Sequence, residues 1–101
     1  MIRFSSAGLL TAALTMAASA AQAYTGQELA TRAHVQIAAA EAIALKARPG
    51  TITDRELERE RGGSGLRYSF DIRSHGVVYE VGVDAKTGRV LENAPEGAHP
   101  D

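Results

Sequence analysis

Apolar and polar residues alternate almost without interruption from Leu66 to Asp84, and this pattern limits the fold more than any other feature of the chain. Leu66, Tyr68, Phe70 and Ile72 alternate with Arg67, Ser69, Asp71 and Arg73. After Ser74-His75-Gly76, Val77, Tyr79, Val81 and Val83 alternate with Val78, Glu80, Gly82 and Asp84. A strand sends successive side chains to opposite faces, so each run predicts a half-buried strand. Two such runs around a short Gly-containing turn predict an antiparallel hairpin with one apolar face. Asp84-Ala85-Lys86-Thr87-Gly88 predicts a second tight turn, with Gly88 supplying a positive φ. A short last strand is expected over 89–92.

The apolar face of this meander needs a cover, and one segment can supply it. Residues 25–47 contain no Pro and a single Gly, and are dominated by strong helix formers. Ala33, Gln36, Ile37, Ala40, Ile43, Ala44 and Ala47 form a helical stripe. Thr25-Gly26-Gln27-Glu28 matches a capping box, with Thr25 as N-cap. His34-Val35 is a point where the run can break, so one helix or two fit the pattern. Arg48-Pro49-Gly50 ends it. The expected architecture is therefore α+β: an N-terminal helix, or two, packed on one face of a three- to four-stranded antiparallel meander. Its expected core is Ile37, Ala40, Ile43, Ala44, Leu66, Tyr68, Phe70, Ile72, Tyr79, Val81 and Val83, with turns at Pro49, Gly50 and Gly88.

Residues 51–61 are ambiguous. Thr53-Asp54-Arg55-Glu56 could open a short helix, but Ile52 and Leu57 are too few for an apolar stripe. An edge strand is the favoured reading, because charge on an edge discourages aggregation. Asp54, Glu56, Glu58 and Glu60 then share one face and form a candidate partner-docking edge for strand addition. Gly62-Gly63-Ser64-Gly65 reads as a flexible loop, and 93–101 as a frayed tail.

The N-terminus reads as a secretory signal. Arg3 supplies positive charge, 7–18 is apolar or small, and Ala21-Gln22-Ala23 is a small-x-small cleavage site. The apolar run is short for a membrane span. The expected organisation is a signal peptide over 1–23, a domain over 24–92 and a tail over 93–101. The expected location is periplasmic or secreted. Without the leader, 10 basic residues face 12 acidic ones. No basic excess is left to neutralise phosphates, and no basic amphipathic helix to hold a membrane, so neither nucleic acid nor a stable membrane association is expected. The absence of Cys removes thiol catalysis and thiolate metal sites.

No motif for catalysis or for a cofactor stands out. His34, His75 and His99 lack metal-ligand spacing, so no metal site is assigned. Ser64 lacks the Gly that a nucleophile elbow needs at position 66. Two minor readings stay open: a small metal- or ligand-binding protein using His34, His75 and the acidic run 54–60, and a hydrolase using Ser64.

Several segments taken in order resemble a known family. They are Ala40-x-x-x-Ala44-Leu45-Lys46-x-x-Pro49-Gly50, an Arg/Glu-rich stretch, Leu66-x-Tyr68-x-Phe70-x-Ile72, and Tyr79-x-Val81-x-Val83-Asp84-Ala85-Lys86-Thr87-Gly88-x-Val90-Leu91. This series resembles the PepSY domain. The resemblance covers about 35–92 and is most specific at its closing Val-Asp-x-x-Thr-Gly-x-Val-Leu. It implies a helix on an antiparallel sheet, no catalytic residues, and a protein partner: a cell-envelope peptidase to be inhibited or helped to fold.

Overall fold

The structure is a computed structural model that describes residues 23–97. The expected export signal, with Ala21 of its cleavage site, lies outside the described residues, as do His99 and the end of the tail. Ala23 is exposed. A 3-10 helix over Gln27–Arg32 leads into helix α1, Ile37–Ala47, followed by strands β1 (Thr51–Arg59), β2 (Leu66–Ser74), β3 (Val77–Asp84) and β4 (Val90–Pro95). The strands form one antiparallel sheet in the order β1-β2-β3-β4. The fold is thus α+β, a helix on a four-stranded meander.

The hairpin between β2 and β3 follows from its turn. Ser74 pairs with Val77, leaving His75 and Gly76 as a two-residue loop at φ of 50° and 77°. Two positive φ values are what a type I′ turn needs, and its twist matches that of the strands. The next turn places Gly88 at φ 77°, with Ile43 of α1 close above it.

The inner face of the sheet carries the core. Leu66, Tyr68, Phe70, Ile72, Val81 and Val83 are buried beneath Ala40 and Ala44 of α1, with Ala85 and Leu57. Alanines on the helix let its backbone lie close to the sheet. Ile37 and Ile43 are half-buried and pack on the margin of this core. Tyr79 is also half-buried, and the Arg48 guanidinium lies 3.8 Å above its ring. Arg48 Nε donates to Asn93 Oδ1 at 3.1 Å, and Asn93 Nδ2 donates to the Ala47 carbonyl at 3.2 Å. Asn93 thereby occupies a carbonyl left open at the C-terminus of α1.

The capping box at Thr25 does not form. Gly26 precedes the 3-10 helix with no side-chain cap, and Thr25 instead bridges to Glu56 of β1. Gly26 lies so close to β1 that a Cβ there would meet the Leu57 carbonyl. The helical segment breaks at His34 and Val35, whose N–H groups both donate to the Ala85 carbonyl at 2.9 Å. Tyr68 Oη holds the same junction by donating to the Val35 carbonyl at 2.7 Å.

β1 is a strand, and one irregularity explains why its sequence is ambiguous. Its register shifts between Ile52 and Asp54, leaving Thr53 as an extra residue. Ile52 and Leu57 have opposite parity, so a regular strand would put them on opposite faces. The bulge changes the parity between them. Ile52 then pairs with Ile72 and Leu57 with Tyr68, both inward. Leu57, absent from the expected core, is 2% exposed. Gly50 carries no positive φ; a Cβ there would lie 2.3 Å from the Arg73 carbonyl, so it is close approach that requires Gly. At the other end, β4 runs into the segment expected to fray: Asn93, Ala94 and Pro95 pair with Val81, Glu80 and Tyr79. Pro95 is tolerated as the last residue of an edge strand, where no neighbour needs its N–H.

Candidate interaction surface

The outer face of the sheet is left without a covering element, and carboxylates dominate it. The register builds it in rows. Asp54, Asp71 and Glu80 are direct cross-strand neighbours, followed by Glu56, Ser69, Gly82 and Glu92, then by Glu58, Arg67 and Asp84. Like charges directly opposite each other are unfavourable in a sheet. Glu58 Oε1 accepts from Ser69 Oγ at 2.8 Å. On the inner side of β1, Arg55 pairs with Glu41 of α1.

Arg67 is the central cation of the outer face and is 8% exposed. Its stem lies flat across Gly82, where a Cβ would meet Arg67 Cδ at 2.9 Å. The guanidinium approaches Glu60 and Glu92 at 3.6 and 3.7 Å and donates to the Arg61 carbonyl at 3.2 Å. Arg67 Nε is buried without a hydrogen-bond partner. Arg67 and, further along β2, Arg73 are outnumbered by the carboxylates of this face. Burial, then the neighbouring Glu92, Asp71, Glu60 and Glu58 carboxylates, push the Glu80 carboxyl up to about 7. Glu56 is raised by burial, then by Asp54, Glu58 and Asp71; Asp71 is raised by burial, then by Glu96 and Asp54.

Asp84, four residues along β3, has the opposite environment. Burial alone would raise its carboxyl, but four hydrogen bonds outweigh that and hold it well below the usual carboxylate range. The Ser64 N–H and Oγ donate at 2.6 and 2.8 Å, and the Lys86 and Thr87 N–H groups at 2.8 and 3.1 Å. Asp84 thus clamps the glycine loop to the turn closed by Gly88. Ser64 serves that clamp, with its hydroxyl proton directed at Asp84.

Asp54 is exposed, while Glu56, Glu58 and Glu60 are half-buried. The edge of β1 is occupied at its centre by the chain itself, since the Leu57 N–H donates to the Thr25 carbonyl at 2.8 Å. His34 and His75 are exposed at opposite ends of β3, one beside Ala85 and one in the turn before Val77. Among the described residues no three His, Asp or Glu side chains are placed to hold a metal ion. No helix among the described residues is long and apolar enough to cross a membrane. Arg67, Glu80, Asp84 and Asn93 were not singled out as site residues from the sequence. For Asp84 the signal was present in the closing Val-Asp-x-x-Thr-Gly motif; for the others, only the cross-strand register reveals their neighbours.

A helix over an antiparallel meander is the arrangement that the PepSY resemblance implies. The family model described as "Peptidase propeptide and YPEB domain" matches residues 37–93, more than half of the chain, and the chain belongs to that family. PepSY domains are generally non-catalytic propeptide or regulatory modules and are typically found in exported proteins. No curated protein and no solved structure matches the chain.

Proposed function

We propose that this domain is a non-catalytic interaction module of the cell envelope that restrains a separate peptidase. Family membership supports the class of partner. The observation that carries the reading is the outer sheet face, where carboxylates from all four strands are gathered at a cost to folding and left uncovered. A stability-driven surface would intersperse both signs. The leader-like N-terminus supports action outside the cytoplasm.

The test is direct. The purified chain is titrated into a periplasmic extract while hydrolysis of a fluorogenic casein is followed. Saturable, dose-dependent slowing is expected. Unchanged hydrolysis at a large molar excess would reject restraint of a peptidase.

A further inference from the structure

We propose that the hollow between Arg67 and β4 on the outer face receives a lysine or arginine side chain of a partner protein. The hollow measures about 420 Å³ and is lined by Glu60, Arg67, Glu80, Leu91, Glu92, Asn93 and Ala94. Its composition matches the two parts of a long cationic side chain. Leu91 and Ala94 offer apolar surface to a methylene stem, and the Glu80 and Glu92 carboxylates offer acceptors to the charged head.

Three features point to an occupant. Glu80 lines the hollow with no hydrogen-bond or ion-pair partner among the described residues, and its carboxyl is raised first by burial and then by the neighbouring Glu92 and Asp71 carboxylates. Arg67 lines the hollow, is more than nine-tenths buried, and still leaves Nε without an acceptor. An unsatisfied N–H calls for an acceptor, and the main chain of a partner segment carries one beside its cationic side chain. The lining also mixes acidic Glu80 and Glu92 with apolar Leu91 and Ala94, which suits a cation carried on an apolar stem. Gly82 is part of the device, because any side chain there would lift Arg67 off the sheet.

This inference rests on the domain being an interaction module, and names the surface and the chemistry of its partner. Tetralysine amide is the probe, with tetraglutamate as control, followed by amide NMR shifts of the full chain at low salt. Tetralysine should bind saturably, with the largest shifts at Gly82, Leu91 and Ala94. Combining Glu80→Gln with Glu92→Gln should weaken it at least ten-fold. Ala94→Lys places a cation opposite Glu80 and should abolish binding while raising the melting temperature. Three results would overturn the site: no tetralysine binding at millimolar concentration, equal loss with Asp54→Asn at the far edge, or saturable tetraglutamate binding. Tetralysine binding without peptidase inhibition would keep the site and reject the peptidase; inhibition unaffected by Ala94→Lys would do the reverse.

Discussion

Asp84 and Glu80 are carboxylates on one strand, four residues apart, and the protein treats them oppositely. Asp84 meets four donors and is held ionised; Glu80, pushed toward protonation by burial and then by neighbouring carboxylates, meets none. The difference is not burial, which acts on both in the same direction. It is the supply of N–H and O–H groups. A turn and a glycine loop expose unpaired backbone donors that one carboxylate can collect. Mid-strand, the ladder has already consumed those donors, and only side chains are left to answer a charge. Asp84 is therefore a structural clamp, and Glu80 a carboxylate that meets no donor among the described residues.

That contrast can be broken first at the clamp. Asp84→Ala leaves the Ser64, Lys86 and Thr87 N–H groups without their acceptor and should lower stability by about 2–4 kcal/mol, read by urea denaturation. A loss below about 1 kcal/mol would show that water replaces the carboxylate at no penalty. The turn that aims the donors comes next. Gly88→Val forces a β-branched residue to positive φ and brings a Cβ to 3.2 Å from Ile43 Cδ1. It should cost about 1–3 kcal/mol in the same assay, whereas a neutral result would mean the turn relaxes freely. At Glu80 the sign should reverse. Glu80→Gln keeps the shape, removes the charge and should stabilise the domain by about 1–2 kcal/mol at pH 8, with solvent screening holding the gain below the full linkage value. Destabilisation there would mean that Glu80 has a partner within the fold.

These two regions also show where sequence reading reaches. The hairpin, its turn and Gly88 were legible because alternation and φ requirements act over a few residues. The strand character of β1 was legible only as a preference, since the bulge at Thr53 breaks the parity linking Ile52 and Leu57. Thr25 reads locally as a cap, but Gly26 brings the chain against Leu57, and a bridge 31 residues away in sequence replaces the cap. Asn93 looks like the start of a tail because nothing local reveals that its amide completes α1. The acidic residues of β1 could be assigned to one face. Their convergence with Asp71, Glu80 and Glu92, and the path of Arg67 over Gly82, depend on register between four strands, which no local pattern encodes.

Stability measured against pH tests the central contrast most directly. A carboxyl raised by folding favours the folded state while protonated, so its contribution is present at low pH and lost as pH rises. For Glu80 that window runs from its ordinary value of 4.5 to about 7, and Glu56 and Asp71 act in the same sense. A carboxyl lowered by folding acts oppositely, so the Asp84 contribution is lost as pH falls below its ordinary value of 3.8. Urea denaturation of the wild-type chain from pH 3 to 8 should therefore give a maximum near pH 5 and a decline toward pH 8, with Glu80→Gln reducing the decline and leaving the acid side unchanged. Stability that rises from pH 5 to 8, or a decline that Glu80→Gln does not alter, would contradict a carboxylate face left uncompensated within the fold.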